Sequence, residues 1–144
     1  MTPRFSIIVP FFNPSLSDLR RALRSVAAQV TEHVTVEIIC IDDGSTTETA
    51  REIATVLAEF SPVPRLLTHD KNLGLAAARN TGIAAATGAY LVLLDVDDWL
   101  HQDALSALAE AGKLNPPGGA AMAWDKFIVA GASKRGGTTS LTAA

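Results

Sequence analysis

Short apolar runs alternate along the chain with longer segments in which apolar residues recur every three or four positions. Runs that are rich in branched side chains predict buried strands, and the longer spacing predicts helices with one apolar face. The predicted strands are residues 5–10, 34–41, 65–69 and 90–94. Strands that alternate with helices indicate an α/β fold, in which a mainly parallel sheet carries helices on both faces and the crossovers are right-handed.

Helices are predicted between these strands and after the last one. Ser15 with Asp18, and Ser45 with Glu48, have the spacing of N-terminal capping pairs for the first two helices. The third helical segment is rich in alanine and glycine, so it can lie close against the sheet, and Gly88 occupies the position of a helix C-terminal glycine. The apolar stripes of the first two helices are Leu16, Leu19, Leu23, Val26 and Val30, and Ile53, Val56, Leu57 and Phe60.

The C-terminal part of the chain has a weaker pattern. The sequence NPPGG at 115–119 interrupts it, and AAMAWDKFIVA at 120–130 predicts a fifth strand that places Trp124 in the core. Residues 131–144 are polar and without a period, which predicts a mobile tail. A chain of 144 residues is long enough for one core. We therefore expect one partial domain over residues 1–130, followed by the tail.

Composition and charge exclude several classes of protein. The net charge of −3 and the scattered basic residues give no nucleic-acid-binding surface, so we expect no nucleic-acid partner. Cys40 is the only cysteine, so no intramolecular disulfide forms. No apolar run approaches the roughly 18 residues that span a bilayer, and the N-terminus lacks the features of a signal peptide. We expect a cytoplasmic protein, and leave open self-association and peripheral binding to the inner face of the membrane.

Polar clusters follow three of the predicted strands, and the carboxyl ends of parallel strands open on the same edge of a sheet. Like charges that lie close together raise one another's pKa, so a compensating cation is expected among the carboxylates. Mg²⁺ or Mn²⁺ fits this place, because hard cations take carboxylate oxygens and share them with substrate phosphates. The clusters are residues 10–13 after the first strand, Asp42 and Asp43 after the second, and Asp95, Asp97 and Asp98 after the fourth.

Simpler interpretations of the same carboxylates remain. Asp98 could cap the following helix while its neighbours are solvated, and Asp42 and Asp43 could form a turn. The sequence has no glycine-rich phosphate-binding loop. A nucleotide would therefore rely on the metal and on Arg79 for its phosphates, and on the pair Asp42 and Asp43 for hydrogen bonds to its base or ribose.

The histidines and tryptophans are less informative. His33, His69 and His101 are far apart and have no metal-ligand spacing, which predicts surface positions or local hydrogen bonds. Trp99 follows the carboxylates directly. It could line a sugar pocket, or it could be a core or interface residue.

The segments SIIVPFFN, IICIDDGSTTET and NLGLAAARNTGIAAATGAYLVLLDVDDW, in that order and spacing, resemble the N-terminal nucleotide-binding half of family-2 glycosyltransferases. The resemblance covers roughly Arg4 to Leu114. It implies the Rossmann-like GT-A fold and a donor that is a nucleoside-diphosphate sugar. The expected activity is inverting transfer of the sugar to a saccharide or lipid-linked acceptor, as in the biosynthesis of cell-envelope polysaccharides.

The resemblance also implies roles for individual residues. Pro10 and Phe12 match positions that border the donor's base, although the second is often tyrosine in the family, so Phe12 lacks that hydroxyl. Asp43 matches the acidic residue that hydrogen-bonds the base, and Arg79 matches an arginine near the base and phosphates. Asp95 and Asp97 match the family's D-x-D, whose first carboxylate contacts the ribose and whose second holds Mg²⁺ or Mn²⁺ on the diphosphate.

The second half of such enzymes carries the acceptor surface and the catalytic base, and we expect that half to be missing here. No residue can be assigned as the base, because Asp125 is the only carboxylate after Glu110 and lies too early. A non-catalytic nucleotide-sugar-binding module is therefore an alternative. A phosphatase of the haloacid dehalogenase type also uses D-x-D, but on its first strand and with Thr or Val where this chain has Trp99.

Overall fold

Four parallel strands form one sheet in the order β3-β2-β1-β4. Ile8 of β1 lies opposite Ile39 of β2 and Leu93 of β4, and every neighbouring pair in this sheet is parallel. The predicted α/β class and parallel sheet are confirmed. The strands are β1 (Arg4–Phe11), β2 (Thr35–Asp42), β3 (Arg65–Thr68) and β4 (Tyr90–Leu93).

The computed structural model describes most of the chain, and its side chains through residue 110. The chain divides into two compact units, Met1–Gln102 and Asp103–Ala144. Within the described part, no helix combines the length and the hydropathy needed to cross a bilayer. The described residues are 2–114, 120–122, 126–129, 132–135 and 139–141.

Three helices connect the four strands: α1 (Leu16–Ala27), α2 (Thr47–Leu57) and α3 (Leu75–Ala85). α1 contacts α2, whereas α3 contacts β1 and β2. β2 and then β3 are added on one side of β1, and the chain then returns so that β4 pairs with β1 on its other side. Right-handed crossovers therefore place α1 and α2 on one face and α3 on the other. Residues 5–11 of β1 are buried on both faces, as a covered parallel sheet requires.

Small residues let α3 lie close to the sheet, as predicted. Ile8, Ile39 and Ile41 form a buried cluster with Ala78 of this helix. A Cβ atom at Gly82 would lie 2.5 Å from Cγ2 of Ile8 and 2.7 Å from Cδ1 of Ile41. Any larger residue at Gly82 would therefore push α3 away from the sheet.

β4 forms where it is predicted but is less buried than predicted. Leu91 and Leu93 are 49% and 48% exposed, because β4 is the edge of this sheet and α3 packs over β1 and β2 instead. Leu94, the next residue, is buried. The prediction that the whole run is buried is therefore wrong for the side chains of the strand itself.

The helix ends follow the sequence signals in part. Ser15 caps α1 and accepts a hydrogen bond from the amide of Asp18, as predicted. The cap of α2 is Thr46 rather than the predicted Ser45, and Thr46 accepts from the amide of Thr49. The hydroxyl of Ser45 instead accepts a bond from the amide of Asn13.

Gly88 lies in the link between α3 and β4 and does not end the helix, whose last residue is Ala85. Its amide donates to Oγ of Ser6 at 2.8 Å, and a Cβ atom at this position would lie 2.6 Å from the same oxygen. The predicted role as a C-terminal glycine is therefore wrong. The glycine is needed because the link passes very close to β1.

A partly buried carboxylate fastens this link to the amino end of the sheet. Glu37 of β2 accepts hydrogen bonds from the hydroxyl of Ser6 at 2.5 Å, from the amide and hydroxyl of Thr87 at 2.5 and 2.9 Å, and from the amide of Gly88 at 2.9 Å. Burial raises the pKa of Glu37, but these hydrogen bonds outweigh it and lower the pKa to about 2.

Among its described residues, the second unit contains α4 (Ala104–Leu114) and four short strands. Antiparallel pairing joins β5 to β8 and β6 to β7. The single predicted fifth strand is wrong, because two separate strands occupy its place; Trp124 and Asp125 lie outside the described residues. The predicted boundary at residue 130 stays a prediction. The strands are β5 (Ala120–Met122), β6 (Lys126–Val129), β7 (Ala132–Arg135) and β8 (Thr139–Leu141).

Candidate functional site

The candidate residues lie at one end of the sheet, where the carboxyl ends of β1, β2 and β4 are side by side. Two backbone hydrogen bonds continue the pairing beyond the ends of the strands. The amide of Asp43 donates to the carbonyl of Phe11 at 2.8 Å, and the amide of Leu94 donates to the carbonyl of Ile8 at 2.9 Å. β2 and β4 flank β1 from opposite sides. In such sheets the reversal of strand order opens a crevice in which ligands bind.

The loops after β1 and β2 are joined by side-chain hydrogen bonds. Asn13, whose φ of 42° lies in the left-handed region, accepts a bond from the amide of Thr46 at 3.0 Å and donates its own amide to Ser45. Beside this link, Phe12 is 50% exposed, whereas Pro10 is buried. Of the two residues predicted to border a base, only Phe12 therefore presents its ring to solvent.

Asp43 is buried and holds the approach to α3. Its Oδ1 accepts from the amide of Leu73 at 2.9 Å and lies 2.7 Å from Nδ1 of His69, and its Oδ2 accepts from the amide of Gly74 at 2.9 Å. Burial raises the pKa of Asp43, but the hydrogen bonds from Leu73, His69 and Gly74 outweigh it and lower the pKa. The carboxylate therefore stays ionised and organises this loop.

His69 is the residue of this site that the sequence analysis did not select. Its Nε2 lies 2.8 Å from the hydroxyl of Thr81 on α3, so the imidazole bridges that helix and Asp43. The expected local hydrogen bonding is confirmed. Its position directly after β3, at the same edge as the carboxylates, is the signal that could have identified it.

Close packing between two loops also explains Gly44. Its φ is 82°, and a Cβ atom there would lie 2.6 Å from the amide nitrogen of Asn72. A residue other than glycine would be strained in this turn and would collide with the loop that Asp43 holds.

Arg79 and Asp95 are brought into direct contact. Nη2 of Arg79, on α3, donates to Oδ1 of Asp95 at 2.8 Å. Both side chains remain partly open to solvent. Within the described part of the chain, Nε of Arg79 is buried and has no hydrogen-bond partner. The guanidinium thus neutralises part of the carboxylate cluster.

Asp97 and Asp98 lie on an exposed turn that begins at Asp95. The amide of Asp98 donates to the carbonyl of Asp95 at 3.0 Å. Burial, together with the charges of Asp97 and Asp95, raises the pKa of Asp98, and Arg21 opposes this shift. The predicted repulsion among these carboxylates is therefore present in the structure.

The carboxylates fit a divalent cation that has further ligands. Among the described residues, no group of three or more His, Cys, Asp or Glu side chains could hold a metal ion by itself. Mg²⁺ is usually bound through one or two carboxylates, with substrate phosphates and water completing its shell. Asp95 and Asp97 would be those two carboxylates, so the residues present fit a metal that is shared with a diphosphate.

Comparison with known sequences identifies relatives that include glycosyltransferases. The chain is 42% identical over 100 residues to the uncharacterized glycosyltransferase YibD of Escherichia coli (strain K12), covering 69% of this chain and 28% of the relative. It is 39% identical over 108 residues to the succinoglycan biosynthesis protein ExoO of Rhizobium meliloti, covering 75% and 29%. The chain thus spans less than a third of the length of these curated relatives.

Solved structures have the same fold. The mannosyltransferase PcManGT of Pyrobaculum calidifontis, in complex with GDP-Man and Mn²⁺, matches with a TM-score of 0.66 and 27% identity over 84% of this chain and 35% of its own. TarS 1–349 of S. aureus, in complex with UDP-GlcNAc, matches with a TM-score of 0.60 and 25% identity over 76% and 30%. The GT-A fold that the resemblance implies is confirmed.

The sequence profile described as glycosyl transferase family 2 matches residues 6–141, which is nearly the whole chain. The parallel sheet, the carboxylates at its edge and the glycosyltransferases among its relatives agree with this match. The chain belongs to glycosyl transferase family 2.

Proposed function

We propose that this chain is the donor-binding part of a glycosyltransferase that takes a nucleoside-diphosphate sugar together with Mg²⁺ or Mn²⁺. The observation that carries the proposal is the ion pair between Arg79 and Asp95 at the carboxyl end of β4. Asp97 follows Asp95 by two residues. A guanidinium binds phosphate oxygens with two parallel hydrogen bonds, and adjacent carboxylates bind the metal that such oxygens share.

At the diphosphate end of the site, the exposed Asp97 would hold the metal ion. Asp95 would contact the ribose and contribute to the metal site, while the partly exposed guanidinium of Arg79, which already holds Asp95, would bind the phosphates. When bound, the ion supplies positive charge that stabilises the departing nucleoside diphosphate. Asp95 and Asp97 would set the position of the ion.

At the base end, Phe12 would stack on the nucleobase, since its ring is half exposed beside the loop after β2. Asp43 would accept a hydrogen bond from the base. Oδ2 of Asp43 accepts one bond within the protein, from Gly74, and a carboxylate oxygen can accept a second. Pro10, which is buried, would shape the backbone beneath the base rather than touch it with an exposed surface.

The transfer step needs a group beyond those discussed here. The acceptor hydroxyl attacks the anomeric carbon from the face opposite the diphosphate, so the configuration inverts. The bond from carbon to phosphate oxygen breaks with its electron pair on that oxygen, and the hydroxyl proton passes to a base. We assign no described residue as this base.

The name of one relative supports a proposal for the acceptor class. One of them is named a succinoglycan biosynthesis protein. By analogy, we propose a saccharide or lipid-linked acceptor used in building cell-envelope polysaccharide, with the protein in the cytoplasm and at the inner face of the membrane.

Calorimetry of the 144-residue chain with UDP, GDP, dTDP and CDP, and with their sugars, tests the donor proposal. Binding of one nucleotide in Mn²⁺ that weakens strongly in EDTA is expected. Equal affinity in both conditions for every nucleotide would contradict the metal role. A non-catalytic nucleotide-sugar-binding module remains a second candidate, because the chain spans less than a third of its curated relatives. Measured turnover separates the two.

A further inference from the structure

Three polar side chains at four-residue spacing connect α1 to the segment that follows the D-x-D. Nη2 of Arg21 donates to the carbonyl of Asp97 at 2.8 Å, and Oγ of Ser25 accepts from the amide of Leu100 at 2.9 Å. Nε2 of Gln29, just beyond the end of α1, donates to the carbonyl of His101 at 2.9 Å. We refer to Arg21, Ser25 and Gln29 as the α1 latch.

The latch residues are themselves held in place. Ser25 donates its proton to the carbonyl of Ala22 at 2.6 Å, so its oxygen is free to accept from Leu100. Gln29 is 3% exposed and also donates to the carbonyl of Ser25 at 3.1 Å. Each donor and acceptor therefore has a fixed direction, which a loosely solvated contact would lack.

Arg21 makes two further contacts that orient its guanidinium. It donates to Asp18 on the same helix at 3.0 Å, and its Cζ lies 4.4 Å from the centre of the Trp99 ring. It bonds the main-chain oxygen of Asp97, so this bond leaves the carboxylate of Asp97 to other partners. The latch therefore binds the backbone of residues 97–101, at and after the C-terminal part of the turn that carries the carboxylates.

The latched segment has little structure of its own. Residues 97–101 lie in no helix or strand, so their backbone groups need partners from elsewhere in the fold. The latch provides such partners at three points. These three bonds attach Asp97 and the residues after it to α1, as β4 holds the residues before the turn.

We propose that the α1 latch positions Asp97 for the cation. Arg21, Ser25 and Gln29 are positioning residues in this account and touch neither the metal nor the nucleotide. The inference rests on the proposed function, because it assumes that Asp97 holds the metal. Two carboxylates bind a cation more tightly when their separation is fixed before the cation arrives, since ordering a loop on binding costs affinity.

Ser25→Ala is the most direct test, because it removes the acceptor for Leu100 and leaves the rest of α1 intact. Affinity is measured by calorimetry for whichever of UDP, GDP, dTDP and CDP binds the unmodified chain, in Mn²⁺ and in EDTA. We expect the affinity in Mn²⁺ to fall roughly 3- to 10-fold, the effect of one hydrogen bond. The affinity in EDTA should not change. Ser25→Thr keeps a hydroxyl and should restore the affinity in Mn²⁺.

Arg20→Ala is the matched control for Arg21→Ala. Arg20 is the adjacent arginine on α1, but it pairs with Glu59 at 2.9 Å and not with the latched segment. Arg21→Ala should weaken binding in Mn²⁺ only, and Arg20→Ala should leave binding unchanged in both conditions. Equal losses in Mn²⁺ and EDTA, or equal effects of the two substitutions, would overturn the positioning role.

Hydrogen exchange tests the latch without any ligand. In Ser25→Ala, the amide of Leu100 should exchange faster while the amides of β1 and β2 keep their rates. Unchanged exchange at Leu100 would overturn the inference whatever the nucleotide does. If the unmodified chain binds no nucleotide, the proposed function fails and the positioning role fails with it. Faster exchange at Leu100 would then show that the latch is structural only.

Discussion

Arg79 on α3 donates a 2.8 Å hydrogen bond to Asp95, the first carboxylate after β4, and so joins a helix on one face of the sheet to the loop at its edge. The bond explains how three carboxylates within four positions can coexist before a ligand arrives, because one of them already has a cation beside it. A divalent ion at Asp97 would complete this compensation. Metal binding and nucleotide binding should therefore depend on each other.

We predict that Asp97→Ala abolishes the Mn²⁺ dependence of nucleotide binding and leaves the fold intact. Asp97 is exposed, so its removal opens no cavity and leaves no buried partner. Calorimetry in Mn²⁺ and in EDTA should give the same affinity for the variant. Asp70→Ala is the control, because Asp70 is also exposed and also follows a strand at this edge. A variant at Asp97 that keeps the full response to Mn²⁺ would refute its role as a ligand.

Asp43 has a structural task beside its proposed contact with the base. We predict that Asp43→Ala weakens nucleotide binding by roughly 10-fold or more, the loss of about one hydrogen bond to a charged group, without removing metal affinity. The substitution also leaves the amides of Leu73 and Gly74, which bond Asp43 in a partly buried contact, without their acceptor. Each such loss typically costs about 1–3 kcal/mol of unfolding free energy. Denaturant unfolding and calorimetry of the same variant measure the two effects.

The nucleotide effect can be separated from the loss of stability. His69→Gln keeps a hydrogen-bonding side chain next to Asp43 but removes the imidazole. It should lower the unfolding free energy less than Asp43→Ala and leave the affinity for nucleotide nearly unchanged. An Asp43→Ala protein that is fully folded and binds nucleotide with unchanged affinity would show that Asp43 only organises the loop.

Glu37 should make the free energy of unfolding depend on pH. Its pKa is lowered to about 2 in the folded protein, below the value of roughly 4.3 for an unperturbed glutamate. A carboxyl with a depressed pKa contributes stability that is fully present above its unfolded pKa and is lost as the pH falls toward its folded pKa. We predict that Glu37 contributes on the order of 2–3 kcal/mol above about pH 5, and that this is lost between about pH 5 and 2.

The matched measurement is the unfolding free energy of the unmodified chain and of Glu37→Gln between pH 7 and pH 2. The variant should be less stable at pH 7, because an amide cannot accept all the bonds from Ser6, Thr87 and Gly88. The difference should shrink toward low pH. A difference that stays constant with pH would mean that the charge of Glu37 is not what fastens the link between α3 and β4.

Features that depend on near neighbours in the sequence are largely predictable here. The apolar runs identify all four strands of the sheet to within about two residues, an accuracy typical of such boundaries. Ser15 caps α1 because its partner Asp18 is three residues away. Parallel pairing then brings Asp43 and Asp95 to the same end of the sheet, because Asp43 follows β2 directly and Asp95 lies two residues after the end of β4.

Features that depend on distant partners are not predictable in this way. Thr46 caps α2 in place of Ser45, whose hydroxyl accepts a bond from the amide of Asn13 in another loop. Gly88 is required by Ser6 on β1, and the half-exposed Leu93 reflects the place of β4 at the sheet edge. The hydrogen bonds of the α1 latch cannot be predicted from the sequence for the same reason. Ser25 and Leu100 come together only because β4 pairs with β1.

Sugar transfer is the property in which this chain should differ most from a whole enzyme. In the proposed function, Asp95 and Asp97 would hold the metal ion, Arg79 would contact the diphosphate and Asp43 the base, and the metal and phosphate contacts would favour departure of the leaving group. Deprotonation and orientation of the acceptor are assigned to none of them. General-base catalysis typically contributes about 10²–10⁴-fold in rate, and orientation of the acceptor can contribute more.

We therefore predict that the purified 144-residue chain binds donor but transfers sugar at a rate far below the enzyme median of about 10 s⁻¹. Slow hydrolysis of the donor by water, dependent on Mn²⁺ and lost in Asp97→Ala, is the expected residual reaction. Release of nucleoside diphosphate is followed with donor and Mn²⁺, with and without saccharide and lipid-linked acceptors. An acceptor-dependent rate near the median would show that these residues already hold a base and an acceptor site, and that donor binding is only part of what they do.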